Sequence, residues 1–461
     1  MIKQENIDRI ISDVSIRDVA IDEGITFSKE RGGKLWACCP FHKENTPSFF
    51  VDTGTNTWKC YGGCHSGGNV ISLYRKLKND LPFPIACKEL AKKYLNEDIE
   101  DDYKPSKEEE EKQKEKESLQ IILSYAQEFY VQCIHEVNPA ANKARETVRK
   151  RWGADAIERF GIGYAPRDGF IEWAMRKGLD FDLLEQVGLI GIGERGKYAM
   201  LRDRYTIPIY DKMSNVIGFT ARTMSDDKDI CKYLNLKNSL VYAKDKSVFG
   251  INFAQKEARL KNKFYLVEGA PDVVKLQSIE ILNTVASLGG AWTENQLKQL
   301  YHISHTVTFI PDADTLKPGN EWPAGTANVF ANGREALAAG FTVNVREIPI
   351  DYPAPKKEDP DSWIVDKAHF QQMKEEEFIY WFCRRRYWPT ADDIEQMTTE
   401  DRLKAIADIC SLLMMIRDED LRTSYLTGLC TMYKHSREWK DTLKRAKESE
   451  LSAKQEKERK G

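Results

Sequence analysis

The stretch Phe264-Tyr-Leu-Val-Glu-Gly-Ala-Pro-Asp-Val-Val274, read together with Val307-Thr-Phe-Ile-Pro-Asp-Ala-Asp314, decides the fold. Each opens with a short run of apolar, β-branched and aromatic residues, the mark of a buried strand. Each run stops at acids: Glu268 and Asp272 after the first, Asp312 and Asp314 after the second. In an open α/β sheet, ligands bind in the crevice beyond the carboxyl ends of the strands. Two neighbouring strands ending this way would gather three or four carboxylates in one place. Such a cluster repels itself unless cations sit in it, and an oxygen-only donor set suits Mg2+ or Mn2+. Either stretch alone reads equally well as ordinary acids in a solvated loop; the pair favours the metal site.

Outward from this centre, a chain of 461 residues is too long for one core and predicts about two to four domains. It is 31% charged and has no run of 18 apolar residues, so no membrane association and a cytoplasmic location are expected. Met1-Ile-Lys-Gln-Glu-Asn6 lacks the basic-then-apolar layout of a secretory signal. Ten cysteines in this context read as reduced thiols plus a metal site. The net charge of −3 argues against a uniformly basic nucleic-acid binder, yet Asn142 to Lys263 holds 24 Lys/Arg against 16 Asp/Glu. A basic middle beside an acidic metal cluster suits an enzyme that handles polyphosphate or nucleic acid.

Residues 1–34 read as a helical lead-in, with Ile7, Ile10, Ile11, Val14, Ile16, Val19 and Ala20 at near-helical spacing. Cys39-Pro-Phe-His42 follows, then 17 residues, then Cys60-Tyr-Gly-Gly-Cys64. Two ligand pairs on two turns, separated by a short β segment, are the plan of one closed, structural Zn2+ site with Cys39, His42, Cys60 and Cys64 as ligands. Pro47–Asp52 and Thr57–Lys59 alternate like a hairpin, which makes this a zinc ribbon. Cys38 would face the other side of its strand, and His65 is the alternative to Cys64 as fourth ligand. Most of Trp36, Phe41, Phe49, Phe50, Trp58 and Tyr61 must form the core, leaving one or two to stack on single-stranded bases.

Cys-Pro-Phe-His-x-Glu-x-Thr-Pro-Ser-Phe followed by Cys-x-Gly-x-Cys-x-x-Gly-Gly-Asn-Val-Ile-Ser-Leu resembles the CHC2-type zinc domain of bacterial DnaG-type primases. This chain departs from the family in spacing the last two cysteines by three residues and in placing Asn69 where an aspartate is common. Glu97 to Glu117 is a run of charge, either a solvated helix or a tether that lets the zinc domain move. The resemblance continues through Glu158-Arg-Phe-Gly-Ile-Gly-Tyr-Ala-Pro166, a hairpin that delivers Arg222, and Lys232-Tyr-Leu-Asn235. It implies that Arg159, Arg222, Lys232, Tyr233, Asn235 and Lys244 hold template phosphates or incoming nucleotides, with Arg202 and Arg204 as weaker candidates.

The acids at the centre are similar to the Toprim domain that primases share with topoisomerases and some nucleases, and Glu358-Asp-Pro-Asp361 matches a further primase motif. Glu268, Asp272, Asp312, Asp314, Asp359 and Asp361 are then the ligands of two or more catalytic Mg2+ or Mn2+ ions, with Glu268, Asp312 and Asp314 the catalytic set. Ala270-Pro271 and about eight extra residues after Asp314 depart from the family, and a longer surface loop costs little.

The resulting expectation is a multidomain α/β protein. Residues 1–96 form a zinc ribbon, 97–118 a charged linker, 119–263 a basic α/β subdomain, 264–365 a Rossmann-like Toprim subdomain, 366–440 a helical bundle and 441–461 a charged tail that frays. The implied function is a DNA primase, a DNA-directed RNA polymerase making short RNA primers on a single-stranded DNA template from ribonucleoside triphosphates. A replicative helicase is the implied partner, and the bacterial cytoplasm or nucleoid the implied location. The chain would be a shorter phage or mobile-element relative, or a piece lacking the family's helicase-binding domain. A Toprim nuclease or topoisomerase and a non-catalytic single-stranded DNA-binding zinc protein are the two other readings.

Overall fold

The computed structural model describes residues 2–460 apart from Gly32, Lys43, Asn45, Gly63, His65, Asn79, residues 100–106, Arg195, Asp226, Lys228, His302, Pro389 and Ala391. Two units divide the chain, Met1–Gln113 and Lys114–Gly461. Among the described residues no helix is long and apolar enough to cross a membrane.

The first unit is an antiparallel meander of five strands in chain order, Lys29–Arg31, Lys34–Ala37, Phe49–Asp52, Thr57–Cys60 and Gly67–Asn69. Alternation sorts the two faces. Leu35, Ala37, Phe49, Val51, Trp58 and Cys60 are buried against the helices Gln4–Asp13, Ile16–Asp22, Val70–Leu77 and Phe83–Leu90. Trp36, Phe50 and Lys59 are paired across the other face. The helical lead-in therefore ends at Asp22, and the chain turns into a strand before residue 34. Asn69 caps the helix Val70–Leu77 by accepting from the Ser72 amide at 3.0 Å. Asparagine serves there as well as aspartate does, which explains why the departure at this position is tolerated.

The helix Lys107–His135 runs across the division between the units, and its apolar stripe of Leu119, Ile122, Leu123, Ala126, Tyr130 and Cys133 is buried in the second. The charged stretch is thus helical from Lys107 on, while residues 100–106 lie outside the described residues. A four-stranded antiparallel sheet follows, ordered Tyr233–Asn235, Val216–Thr223, Arg204–Tyr210, Gly163–Ala165.

The second sheet runs Thr284–Ala286, Phe264–Val267, Thr306–Phe309, Thr342–Arg346, Glu375–Glu377. Its first four strands are parallel and the last antiparallel. From Phe264–Val267 the chain goes to one neighbour and then returns to the other side, so the strand order reverses between Phe264–Val267 and Thr306–Phe309. That reversal is where open α/β sheets bind ligands. Phe264 and Leu266 are buried in one core and Val267 in another, which is why the strand reads as a continuous apolar run.

The sheet extends beyond residue 365, because Glu375–Glu377 pairs with Asn344–Arg346. Three glutamates hide a strand, but Lys263 and Arg346 pair with Glu375 and Arg384 pairs with Glu376. The remaining helices, Phe378–Arg386, Thr399–Met415, Glu419–Tyr433 and Ser436–Lys460, share a core of Trp381, Phe382, Ile409, Leu413, Leu429 and Trp439. The last helix does not stop near residue 440: Leu443 is buried in that core and the helix runs to Lys460.

Candidate active site and metal centres

In the first unit, Cys39 leaves the strand Lys34–Ala37, Cys60 ends Thr57–Cys60, and His42 and Cys64 stand in the adjoining loops. One ligand atom from each lies within 4.8 Å of all the others. The Cys39 and Cys64 sulfurs are 3.5 Å apart. Their mutual hydrogen bond pulls the Cys64 thiol down to about 4 and pushes Cys39 up. Soft thiolates with one imidazole at tetrahedral reach fit Zn2+. Cys38 is exposed, and His65 lies outside the described residues.

Glu44 braces the first knuckle, a role that spacing alone did not reveal. Its carboxylate accepts from the Cys39 amide at 2.6 Å and the Ser48 hydroxyl at 2.6 Å, and lies 3.0 Å from His42 Nε2. Such carboxylates orient metal ligands. On the opposite face Trp36, Phe50 and Tyr61 form a ladder with ring centres 4.9 and 5.7 Å apart. Lys29, Lys34 and Lys59 lie over the three rings in turn.

In the second unit, Glu268 and the Asp312/Asp314 pair leave adjacent parallel strands at the point of strand reversal. Their carboxylates converge within 4.8 Å. Burial, then the charge of Glu268, pushes Asp312 up to about 7, and burial likewise raises Glu268. Asp312 Oδ1 is buried with no hydrogen-bond partner among the described residues. A self-repelling trio of hard oxygens with an orphaned buried acceptor fits a Mg2+- or Mn2+-type cation.

Two further contacts shape the trio. The Gly325 amide, at the start of the helix Ala324–Ala339, donates to Asp314 at 2.9 Å. A Cβ at Gly325 would stand 2.2 Å from the Asp312 carbonyl oxygen, so only glycine lets this helix approach. Lys357 Nζ lies 2.8 Å from Asp312 and 2.7 Å from Asp314.

The other three acids ring the trio instead of joining it. Asp272 is buried and accepts from the amides of Gly269 and Asp361 at 3.1 Å each, while burial and then the charges of neighbouring acids push its pKa well above the usual carboxylate range. Asp361 is gripped by Arg151 at 2.5 Å and by the Trp152 indole at 2.5 Å. Asp359 caps the turn Pro360–Trp363 by accepting from Ser362 at 2.7 Å.

Arg151 also donates to the Tyr205 and Tyr233 hydroxyls, at 2.9 and 3.3 Å, and Arg222 donates to Tyr205 at 3.3 Å. Behind this network opens a cavity of about 520 Å³ lined by Lys143, Thr147, Tyr205, Arg222, Cys231 and Lys232 among others. The structure thus unites Arg222 and Lys232 in one basic groove and adds Lys143 to it, while Arg151 braces Tyr205 and Tyr233 from outside its lining. Arg204 is buried below, donating to the Ala221 and Lys232 carbonyls at 3.4 Å. Arg202 stacks on Tyr198, with its guanidinium 5.6 Å from the ring centre. Lys244 lies against the Gly289 loop. Asn235 opens instead onto a separate cavity of about 180 Å³, and Arg159 is exposed beside Phe160. Arg151 sits in a basic run, Arg149-Lys-Arg151, where nothing in the sequence distinguishes it from a solvated charge.

A zinc ribbon joined to a mixed α/β core, with a carboxylate cluster at a strand reversal beside a basic groove, is the architecture of a primase-type catalytic core. The CHC2 zinc finger model matches residues 2–107, and the N-terminal domain of the DNA primase catalytic core matches residues 130–255. The chain thus carries the zinc finger and the catalytic-core N-terminal domain of DnaG-type primases. It is 33% identical over 377 residues to the DNA primase of Pseudomonas putida, covering 79% of this chain and 53% of that protein. The chain therefore spans about half the length of the curated relatives it matches. The crystal structure of the zinc-binding and RNA polymerase domains of the Aquifex aeolicus primase is 26% identical, with a TM-score of 0.55 over 93% of this chain and 97% of that one. A DnaG primase catalytic domain bound to single-stranded DNA is 25% identical, with a TM-score of 0.56 over 69% of this chain and 96% of that one.

Proposed function

We propose that this chain is a DNA primase, starting short RNA primers de novo from ribonucleoside triphosphates on a single-stranded DNA template. The observation that carries the reading is the convergence of Glu268, Asp312 and Asp314 beside the Arg222–Lys232 groove, in a chain that carries these primase domains. Divalent ions at the trio, when bound, supply activation of the attacking hydroxyl and neutralisation of triphosphate charge. Zinc at Cys39, His42, Cys60 and Cys64 has a structural part. Asp272, Asp359 and Asp361 belong to the same magnesium centre as its support: they hold the loops that present the trio.

The protein's own groups do the rest. Arg222, Lys232 and Lys143 hold phosphates by charge in the groove, with Arg159, Asn235 and Lys244 extending the binding surface. Arg151 fixes Tyr205 and Tyr233 so that the groove wall keeps its shape. Glu268, its pKa raised by burial, is the group best placed to accept a proton. Trp36 and Tyr61, which flank the buried Phe50 ring, offer stacking to single-stranded bases, and the adjoining lysines offer charge. A replicative helicase as partner and a bacterial cytoplasmic setting complete the proposal.

The test is incubation with single-stranded templates, labelled nucleoside triphosphates and Mg2+. Short RNA products are expected. Strand cleavage instead would establish a nuclease, and binding without synthesis a DNA-binding zinc protein.

A further inference from the structure

Among the described residues, Lys357 is the cation that pairs directly with the acidic trio, and the quoted family motif does not include it. Its ammonium bridges Asp312 Oδ2 at 2.8 Å and Asp314 Oδ1 at 2.7 Å. The bridge is built by the fold. Ala313 and Glu358 exchange both backbone hydrogen bonds, at 2.9 and 3.0 Å, in an isolated antiparallel bridge. Pinning Ala313 to Glu358 places Lys357 beside the two acids that flank Ala313. Its neighbour Lys356 is pinned by the same backbone yet turns away, pairing with Glu358 at 3.0 Å and staying 81% exposed.

The bridge also leaves work undone. Each ammonium contact engages a single carboxylate oxygen, and Asp312 Oδ1 stays buried without a partner among the described residues. The Lys357 side chain is 56% exposed on a flexible stem, so swinging out to water is open to it. An ammonium is a compact point charge with no fixed coordination geometry, and such a charge exchanges readily for another cation.

We propose that Lys357 is a tethered counter-cation that competes with a divalent metal ion for Asp312 and Asp314, so that metal entry and lysine release are one exchange. The proposal rests on the metal role of the trio argued above. It assigns Lys357 a function in setting how much free divalent metal the site requires.

Mn2+ titration followed by electron paramagnetic resonance, on the full chain at fixed pH and salt, tests this without reference to catalysis. Zinc stays in place throughout. In Lys357→Gln the Mn2+ dissociation constant should fall about tenfold, because the competitor is gone. Lys357→Arg should bind Mn2+ no more tightly than the parent. Lys356→Gln removes the same charge from the same loop without touching the trio, and should shift the constant by less than about twofold. Equal shifts in Lys357→Gln and Lys356→Gln would overturn direct competition in favour of a general field effect. An unchanged or weakened constant in Lys357→Gln would overturn the proposal while leaving the metal site standing. Failure of every variant and the parent to bind Mn2+ would overturn both.

Discussion

At the zinc centre, four ligand atoms stand on strand ends and loops of a small meander, with Cys39 and Cys60 buried in its core and Glu44 bracing Cys39 and His42. At the acidic trio, the donors leave two adjacent strands buried on both faces, and a helix start and a lysine already press on them. Both places gather anions that repel one another. In the first, the metal is needed to complete the structure. In the second, the fold imposes the geometry beforehand, and on the proposed reading a divalent ion adds chemistry and not structure. Metal removal should therefore be felt as unfolding in one unit and as loss of activity in the other.

The largest effect should follow from breaking the first half of that contrast. Structural zinc binding is worth about 10 kcal/mol or more and is coupled to folding. Cys60→Ala should abolish tight zinc binding, measured by colorimetric release. The melting transition of the first unit should drop by roughly 10 °C or more, and the knuckle segments should become protease-sensitive, with the second unit's transition unmoved. An unchanged first-unit transition would show that the meander, with its own helical core, holds the ligands without metal.

Asp312→Ala probes the other half. Loss of a central metal donor should cut primer synthesis by about a thousandfold, or roughly 4 kcal/mol in barrier. Melting should stay level or rise slightly, because one buried repelling charge is removed. Template binding, read by fluorescence anisotropy, should be nearly intact because the groove lies on other residues. A variant that keeps making RNA would remove the trio from the mechanism.

Gly325→Ala tests whether the trio is preset by the fold. The added methyl must push the helix Ala324–Ala339 away from the Asp312 carbonyl, which a Cβ would approach to 2.2 Å. Overpacking of this kind costs about 1–3 kcal/mol, and it also pulls the Gly325 amide off Asp314. Melting of the second unit should fall by several degrees and Mn2+ affinity should drop with it. A variant with normal affinity would mean that the carboxylates re-form around the metal unaided, as the zinc ligands are expected to do.

The two sites were unequally legible. The strands Phe264–Val267 and Thr306–Phe309 announced themselves because strands buried on both faces are rich in apolar, aromatic and β-branched residues, and the acids mark where each one ends. The pairing of Cys39 and His42 with Cys60 and Cys64 was readable because knuckle ligands are local in sequence. What escaped was everything fixed by tertiary pairing. Lys357 looked like one more charge until the Ala313–Glu358 bridge placed it. Arg151 is one of several basic residues in its helix, and only the fold reveals that it grips an aspartate 210 positions away. The acids Asp272 and Asp361 carried the right chemistry for a metal, but backbone amides, Arg151 and Trp152 already engage them. Glu375–Glu377 became a strand against its own composition because basic neighbours from other elements neutralise it.

The smallest effect, and the one that most directly separates fold-held acids from metal-held thiols, is a pH dependence. Asp312 is raised from 3.8 to about 7, chiefly by burial and then by Glu268, with Lys357 offsetting part of the rise. A carboxyl whose folded pKa lies above its unfolded one favours folding when protonated. The stabilisation is full below about pH 4 and is lost as pH climbs through about 7. Metal-free second unit should therefore lose about 2 kcal/mol between pH 5.5 and 8, seen as a fall of a few degrees in its melting transition. Mg2+ binds the ionised carboxylates and should abolish the fall or reverse it. Asp312→Asn, which cannot ionise, should flatten it in the metal-free protein. A metal-free transition that is level across this window would mean that Lys357 neutralises the trio completely, leaving no electrostatic strain for a divalent ion to relieve.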